Sequence, residues 1–212
     1  MSQAEHTSRK RGRPPKGGLG YEDTRDALIR CGMELLTEQG FGNTGLDQIL
    51  KKVNVPKGSF YHYFENKEAF AYVVLESYNE YFIHKLDKYL LHNDSPALER
   101  LQYFMQDATG GVERFKFKRG CLVGNLAQEF GCSHELFKQK LEVVLGEWKL
   151  RIKNCLELAQ KEGSLSSSAD CQKLAEFFWI GWEGAVMHSK LNQNKQAMEL
   201  FGEQFFKLLP KP

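Results

Sequence analysis

The chain has 212 residues, of which 42% are apolar and 26% charged, and its net charge is only +2. This balance fits a globular chain of one large or two small domains. It excludes a membrane span, which needs an apolar run of about 18 residues, and the basic start lacks the apolar core of a secretory signal, so a cytoplasmic protein is expected.

Five cysteines stand at 31, 121, 132, 155 and 171. The odd count and the absence of CxxC spacing argue against a disulfide framework and a structural zinc site. No metal and no cofactor are expected. Charge is unevenly placed. Residues 9–16, RKRGRPPK, hold five positive and no negative side chains, and such a cluster attracts a polyanion more than net charge does. Residues 1–20 show no apolar period and read as a disordered basic arm. Within it, Arg11-Gly12-Arg13-Pro14 matches the core of an AT-hook. There Gly and Pro keep the strand extended while arginines enter a narrow A·T minor groove. The competing reading is a solvated tail that adds nonspecific phosphate attraction.

From residue 22 the period becomes helical. Ala27, Leu28, Cys31, Leu35 and Leu36 share a face, and Gly40 stops the helix as a C′ glycine. Asn43 or Thr44 can cap the next helix, whose apolar face is Leu46, Ile49, Leu50 and Val53. Asn54 ends it. Pro56 can open a third helix, where its missing N–H is not needed. Asn66 reads as the N-cap of a long helix to about Leu91. The second and third helices form a helix-turn-helix candidate.

The run Phe60-Tyr61-His62-Tyr63-Phe64 follows Pro-Lys-Gly-Ser. A recognition helix serves two surfaces, its own small core and the DNA major groove. Phe60 and Phe64 are four apart and share one face, against which Ile49 and Val53 can pack. Lys57, Tyr61 and His62, with Gly58 and Ser59 in the first turn, point elsewhere and suit a groove. Lys67 opens the following helix, where a helix N-terminus and an ammonium can both hold a phosphate.

At these residues the chain resembles the TetR family of one-component regulators. The likeness rests on TGLDQILKKVNVPKGSFYHYFENKEAF, residues 44–70, with the preceding helix 22–40 fitting as well. The resemblance implies that Thr44 contacts the DNA backbone. It implies that Lys57, Gly58, Tyr61 and His62 face bases and that Ser59, Tyr63 and Lys67 face phosphates. Gly45 stands where the family often has threonine, so its phosphate contact falls to backbone. Palindromic operator DNA is the implied partner, with repression as the family default.

The remainder reads as a second helical unit. Ser95-Pro96 begins a helix that Gly110-Gly111 ends, and VERFKFKRG is a basic connector. Further helices are expected over 121–130 (stopped by Gly131), 133–162 (capped by Ser133, stopped by Gly163), 169–191 (capped by Ser168) and 194–209. The expected fold class is all-α. A basic arm covers 1–20, a three-helix helix-turn-helix DNA-binding domain 21–66, and a helical ligand-sensing and dimerisation domain 67–212. The resemblance places a ligand pocket in the middle helices and a homodimer in the last two. Leu174, Phe177, Phe178, Ile180, Trp182 and Val186 make the penultimate helix too apolar for a surface helix, and Gly181 and Gly184 suggest close helix approach.

One cysteine differs from the rest. Cys31, Cys155 and Cys171 fall at apolar helix positions, where a thiol is a small inert hydrophobe. Cys121 follows Lys116, Lys118 and Arg119 and opens a helix, and cations and a helix N-terminus both favour a thiolate. RGCLVGNLAQE, residues 119–129, resembles a TetR subgroup that answers to reactive electrophiles. It includes N-ethylmaleimide-, aldehyde- and acrylate-responsive repressors. The implied effector is a small electrophile or oxidant acting at Cys121, with Cys132 as the second candidate and Lys190 as a charged neighbour of the pocket. The adduct is expected to shift the helix that Cys121 begins and, through it, the 66–91 helix. A noncovalent ligand in the same pocket is the alternative. A different class, a cysteine-dependent enzyme, needs a base on Cys121, for which His134 and His188 are the candidates. An architectural DNA-bending role leaves the C-terminal helices unused.

Overall fold

The structure is a computed structural model and describes residues 21–91 and 94–212. It contains α1 (Tyr21–Gln39), α2 (Leu46–Val53), α3 (Lys57–Tyr63), α4 (Lys67–Leu90) and α5 (Ala97–Arg114). These are followed by α6 (Leu122–Phe130), α7 (Glu135–Lys161), α8 (Cys171–Asn192) and α9 (Gln196–Leu208). The expected all-α class holds, and no strand occurs among the described residues. No helix among them is long and apolar enough to cross a membrane.

Local chemistry explains most boundaries. Gly40 takes φ +80°, a left-handed conformation that favours glycine, and turns the chain out of α1. Asn54 closes α2 at φ 58°. Asn66 caps α4 by accepting the Ala69 N–H at 2.7 Å. Three expectations are corrected. α5 runs through Gly110-Gly111 to Arg114. Glycine only weakens a helix by about 1 kcal/mol, and here the apolar stripe continues through Ala108 and Val112, which pack on the core. α7 starts with His134 at the N-cap and no side-chain cap, so Ser133 is not its cap. Asp170, not Ser168, caps α8 through the Lys173 N–H at 3.1 Å.

α1 packs on α2 and on the N-terminal half of α4, and α3 reaches α4 through Phe60 against Phe70. α1 comes close to α4 at Gly32, where a Cβ would stand 2.5 Å from Phe70 Cζ. Behind them, α4, α5, α7 and α8 surround a core of Phe82, Phe104, Trp148 and Trp179. α6 bridges α1 and α7. Gly181 lets α8 approach α9, its Cα lying against the Phe201 ring, whereas a Cβ on Gly184 meets nothing within 4 Å. The close approach expected of these two glycines is therefore made within the protomer only at Gly181.

Candidate DNA interface and effector pocket

α3 presents the two surfaces that its spacing predicts. Phe60 and Phe64 are buried, 5.2 Å apart between ring centroids, and each packs on Phe70 of α4 at 5.3 and 4.9 Å. Lys57, Gly58, Tyr61 and His62 are exposed, and Ser59 and Tyr63 are half-buried beside them. A Cβ at Gly45 or Gly58 would meet nothing within 4 Å, so the backbone is open to close approach at both points. α2 and α3 start at Gly45 and Pro56 without a side-chain cap, leaving first-turn N–H groups for an outside acceptor.

Two expected phosphate ligands are engaged elsewhere. Thr44 is fully buried. Its hydroxyl donates to the Gly40 carbonyl at 2.6 Å and accepts from Gln39 Nε2 at 3.3 Å, so it holds the α1–α2 turn. Lys67 donates to the Phe41 carbonyl at 2.6 Å and lies 4.0 Å from the Phe41 ring centroid. Burial pushes its ammonium below the usual lysine range. Proximity in sequence to the helix ends put both residues near DNA, but their direction depends on a turn that sequence spacing does not describe. Arg11 and Arg13 lie outside the described residues.

Tyr61→Ala and Lys57→Ala are each expected to weaken specific DNA binding by about 1–3 kcal/mol, with little change in thermal stability. Competition titrations with specific and random duplexes measure the difference. Tyr61 is 51% exposed, so a large drop in Tm for Tyr61→Ala would mean that the ring belongs to the core.

The second site is a cavity of about 500 Å³ between α1, α4, α5 and α8. Phe82, Val112, Trp182 and Val186 give it an apolar lining, while Arg30, Lys85 and Arg119 carry positive charge in its wall. Cys121, the N-cap of α6, lines it together with Tyr78 and Glu183. The Tyr78 hydroxyl points at Cys121 Sγ from 3.9 Å. Glu183 hydrogen-bonds the thiol, and burial pushes its carboxyl up to about 7. Gly124, one turn into α6, leaves room for this carboxylate: a Cβ there would collide with Glu183 Oε2.

These neighbours overturn the expected thiolate. Burial and the Glu183 charge push the Cys121 thiol well above the ordinary cysteine range, outweighing the N–H groups of Gly124 and Val123 at the start of α6. Of the three cations near in sequence, two face solvent and the third, though in the cavity wall, is paired with carboxylates of α1. Lys116 and Lys118 are exposed. Arg119 lies 3.9 Å from the Phe115 ring centroid and pairs with Glu34 at 2.9 Å and Glu38 at 3.2 Å. The chain reverses there through Lys116 and Phe117, both at positive φ, which decouples sequence neighbours from spatial ones.

Lys190 does not line the cavity either. Its Nζ donates to the Glu38 and Thr37 carbonyls at 2.6 and 3.2 Å, capping the end of α1. Glu183 was missed from sequence, although a carboxylate amid Trp179-Ile180-Gly181-Trp182 and Gly184-Ala185-Val186 is the kind of charge in an apolar run that marks a site. Cys31, Cys155 and Cys171 are buried, with the Cys155 thiol pushed up to about 12 by burial, and Cys132 is exposed. Neither candidate base reaches the thiol. His134 stands 3.4 Å from Glu68, and His188 is exposed and outside the cavity lining.

Residues 28–71 match the description of bacterial regulatory proteins of the tetR family, and residues 97–205 match the tetracyclin repressor-like C-terminal domain. The chain belongs to the TetR family. It is 43% identical to the transcriptional regulator AcuR of Cereibacter sphaeroides over 92% of this chain and 89% of that protein. A crystal structure of a TetR regulatory protein from Rhodobacter sphaeroides superposes with a TM-score of 0.85 at 43% identity, covering 88% of this chain and 98% of the other. The reduced form of Escherichia coli NemR superposes with a TM-score of 0.78 at 26% identity, covering 90% and 98%. NemR is a transcriptional repressor. TetR regulators bind operator DNA and dimerise, and they are not enzymes. The helix-turn-helix of this TetR chain is thus α2 and α3, and the cavity lies where α1 meets α4, α5 and α8.

Proposed function

We propose that the chain is a homodimeric repressor that reads a palindromic operator with α3 and leaves it when a small electrophile or oxidant acts at Cys121. In this reading residues 21–66 bind DNA and residues 67–212 sense and dimerise. Lys57, Gly58, Tyr61 and His62 meet base edges, Ser59, Tyr63 and the backbone at Gly45 meet phosphates, and α8 and α9 form the dimer. The observation that carries the sensing step is the placement of a thiol in the wall of a 500 Å³ cavity beside a carboxylate.

Because the resting thiol is protonated, reaction needs a base, and Glu183 supplies one. As the sulfur bonds to the electrophilic carbon of an activated alkene, the thiol proton passes to the Glu183 carboxylate. The same proton then moves to the adjacent carbanion carbon. The net change is addition of S–H across the double bond, with nothing oxidised or reduced.

In a Cys132→Ser background, Cys121→Ser is expected to bind operator normally and to stay bound after treatment with N-ethylmaleimide, while Cys31, Cys155 and Cys171 variants still release. Gel shift with mass spectrometry of the treated protein reads both outcomes. Full release of Cys121→Ser by the same compound would sink the covalent reading. The raised thiol pKa favours one second reading, a ligand held reversibly in the same cavity, which that result would support.

A further inference from the structure

The end of α1 and the turn after it are held by the sensing part of the molecule at seven points. The last carbonyls of a helix lack partners within it, and here the partners come from α6, α8 and the segment before α6. Asn125 Nδ2 donates to the Leu36 and Thr37 carbonyls at 2.9 and 3.2 Å. The Gly120 N–H donates to Thr37 at 3.0 Å. Lys190 Nζ donates to Thr37 and Glu38 at 3.2 and 2.6 Å. The next amides in the chain are held as well: Glu129 accepts the Phe41 N–H at 2.7 Å and the Gly42 N–H at 2.5 Å, one on each carboxylate oxygen.

Glycines make this approach possible. A Cβ on Gly40 would collide with the Glu129 carboxylate, and one on Gly42 would stand 3.2 Å from its Oε2. The turn so gripped leads directly into the DNA-reading helices. Thr44 closes it onto Gly40, and Gln39 reaches Gln48 of α2 at 2.7 Å.

We propose that Asn125 and Glu129 of α6, with Lys190 of α8, are positioning residues that carry the state of the cavity to the DNA-binding head. Cys121, Asn125 and Glu129 are spaced by four along one short helix and share a face. A group added at Cys121 therefore moves the two side chains that hold the turn between α1 and α2. Coupling of this kind requires an element that both sites bias, and the gripped turn is that element. The route bypasses Lys67, which braces Phe41 from the α4 side. The proposal rests on the effector acting near Cys121, and its test separates the two ideas.

The test uses the full-length protein in a Cys132→Ser background, because Cys132 is exposed and would also be alkylated. Operator affinity is read by fluorescence anisotropy before and after N-ethylmaleimide labelling of Cys121. A parallel arm uses Cys121→Phe, which puts bulk at the same point without chemistry. Either perturbation is expected to weaken operator binding by about 5–150-fold with the grip intact, and by less than about threefold in Glu129→Gln or Asn125→Ala. Melting curves confirm that the two variants fold, and a role confined to stability would lower Tm without changing the affinity ratio. An unchanged ratio in both variants overturns the proposal. Release by Cys121→Phe through an intact Glu129, without release by N-ethylmaleimide, supports the grip and overturns the Cys121 chemistry.

Discussion

Ile180→Glu is expected to turn the dimer into a monomer and to abolish tight operator binding. In the protomer α8 exposes Phe177, Ile180, Met187 and Leu191 at 46, 75, 49 and 73%. With Gly184 between them, these positions run at alternating spacings of three and four, the seam of a packed helix pair. Leu200 and Leu208 of α9 extend the exposed apolar surface. A two-fold interface repeats every substitution, so two carboxylates would enter one apolar seam. An uncompensated buried charge costs about 3–5 kcal/mol, and even half of that loosens a dimer more than tenfold. Because Ile180 is 75% exposed in the protomer, circular dichroism of the variant should remain helical. Sedimentation velocity measures the assembly state. A variant that sediments as a dimer at micromolar concentration would move the interface away from α8.

Glu183→Gln should stabilise the protein at neutral and higher pH and remove the pH dependence of Cys121 reaction. Burial raises the Glu183 carboxyl from 4.5 to about 7. At pH values below 4.5 both folded and unfolded chains keep the proton, and the group is neutral in its effect. Between 4.5 and about 7 the unfolded chain releases its proton while the folded chain holds it, so stability falls as pH rises. Above about 7 the loss is complete, on the order of 3 kcal/mol for a shift of this size. Gln keeps the shape without the ionisation, so its Tm should exceed that of the parent at pH 8 and match it near pH 4. Alkylation of Cys121 should show the opposite trend. In the parent its rate rises through pH 7 as the carboxylate base forms, and in Glu183→Gln this step is lost. An identical pH–rate profile in both proteins would remove Glu183 from the reaction.

Helix content, the identity of the recognition helix and its division into two faces follow from local rules. Phe60 and Phe64 are four apart and share the buried face, and Tyr61 and His62 between them point outward. Asn66, Gly40 and Asn54 act on their own backbone, and their effects are complete within a turn. The placement of a thiol in a cavity wall follows from the family pattern around Cys121. The state of that thiol does not, because its pKa depends on Glu183 and Tyr78, which are distant in sequence. Of the three cations that suggested a thiolate, Lys116 and Lys118 face solvent, and Arg119, though in the cavity wall, is paired with Glu34 and Glu38.

Lys67, Thr44 and Lys190 show the same limit. Each is a polar side chain near a functional element, and each is spent on carbonyls of the α1 end or the turn after it. Periodicity along a chain determines which residues share a face. Which unsatisfied carbonyl or amide a side chain meets is decided only when helices from different parts of the chain are packed together. That is why the sequence by itself determined the helices and the buried and exposed faces of α3, and only the tertiary structure decided the surroundings of Cys121 and the Glu129 hold on the turn.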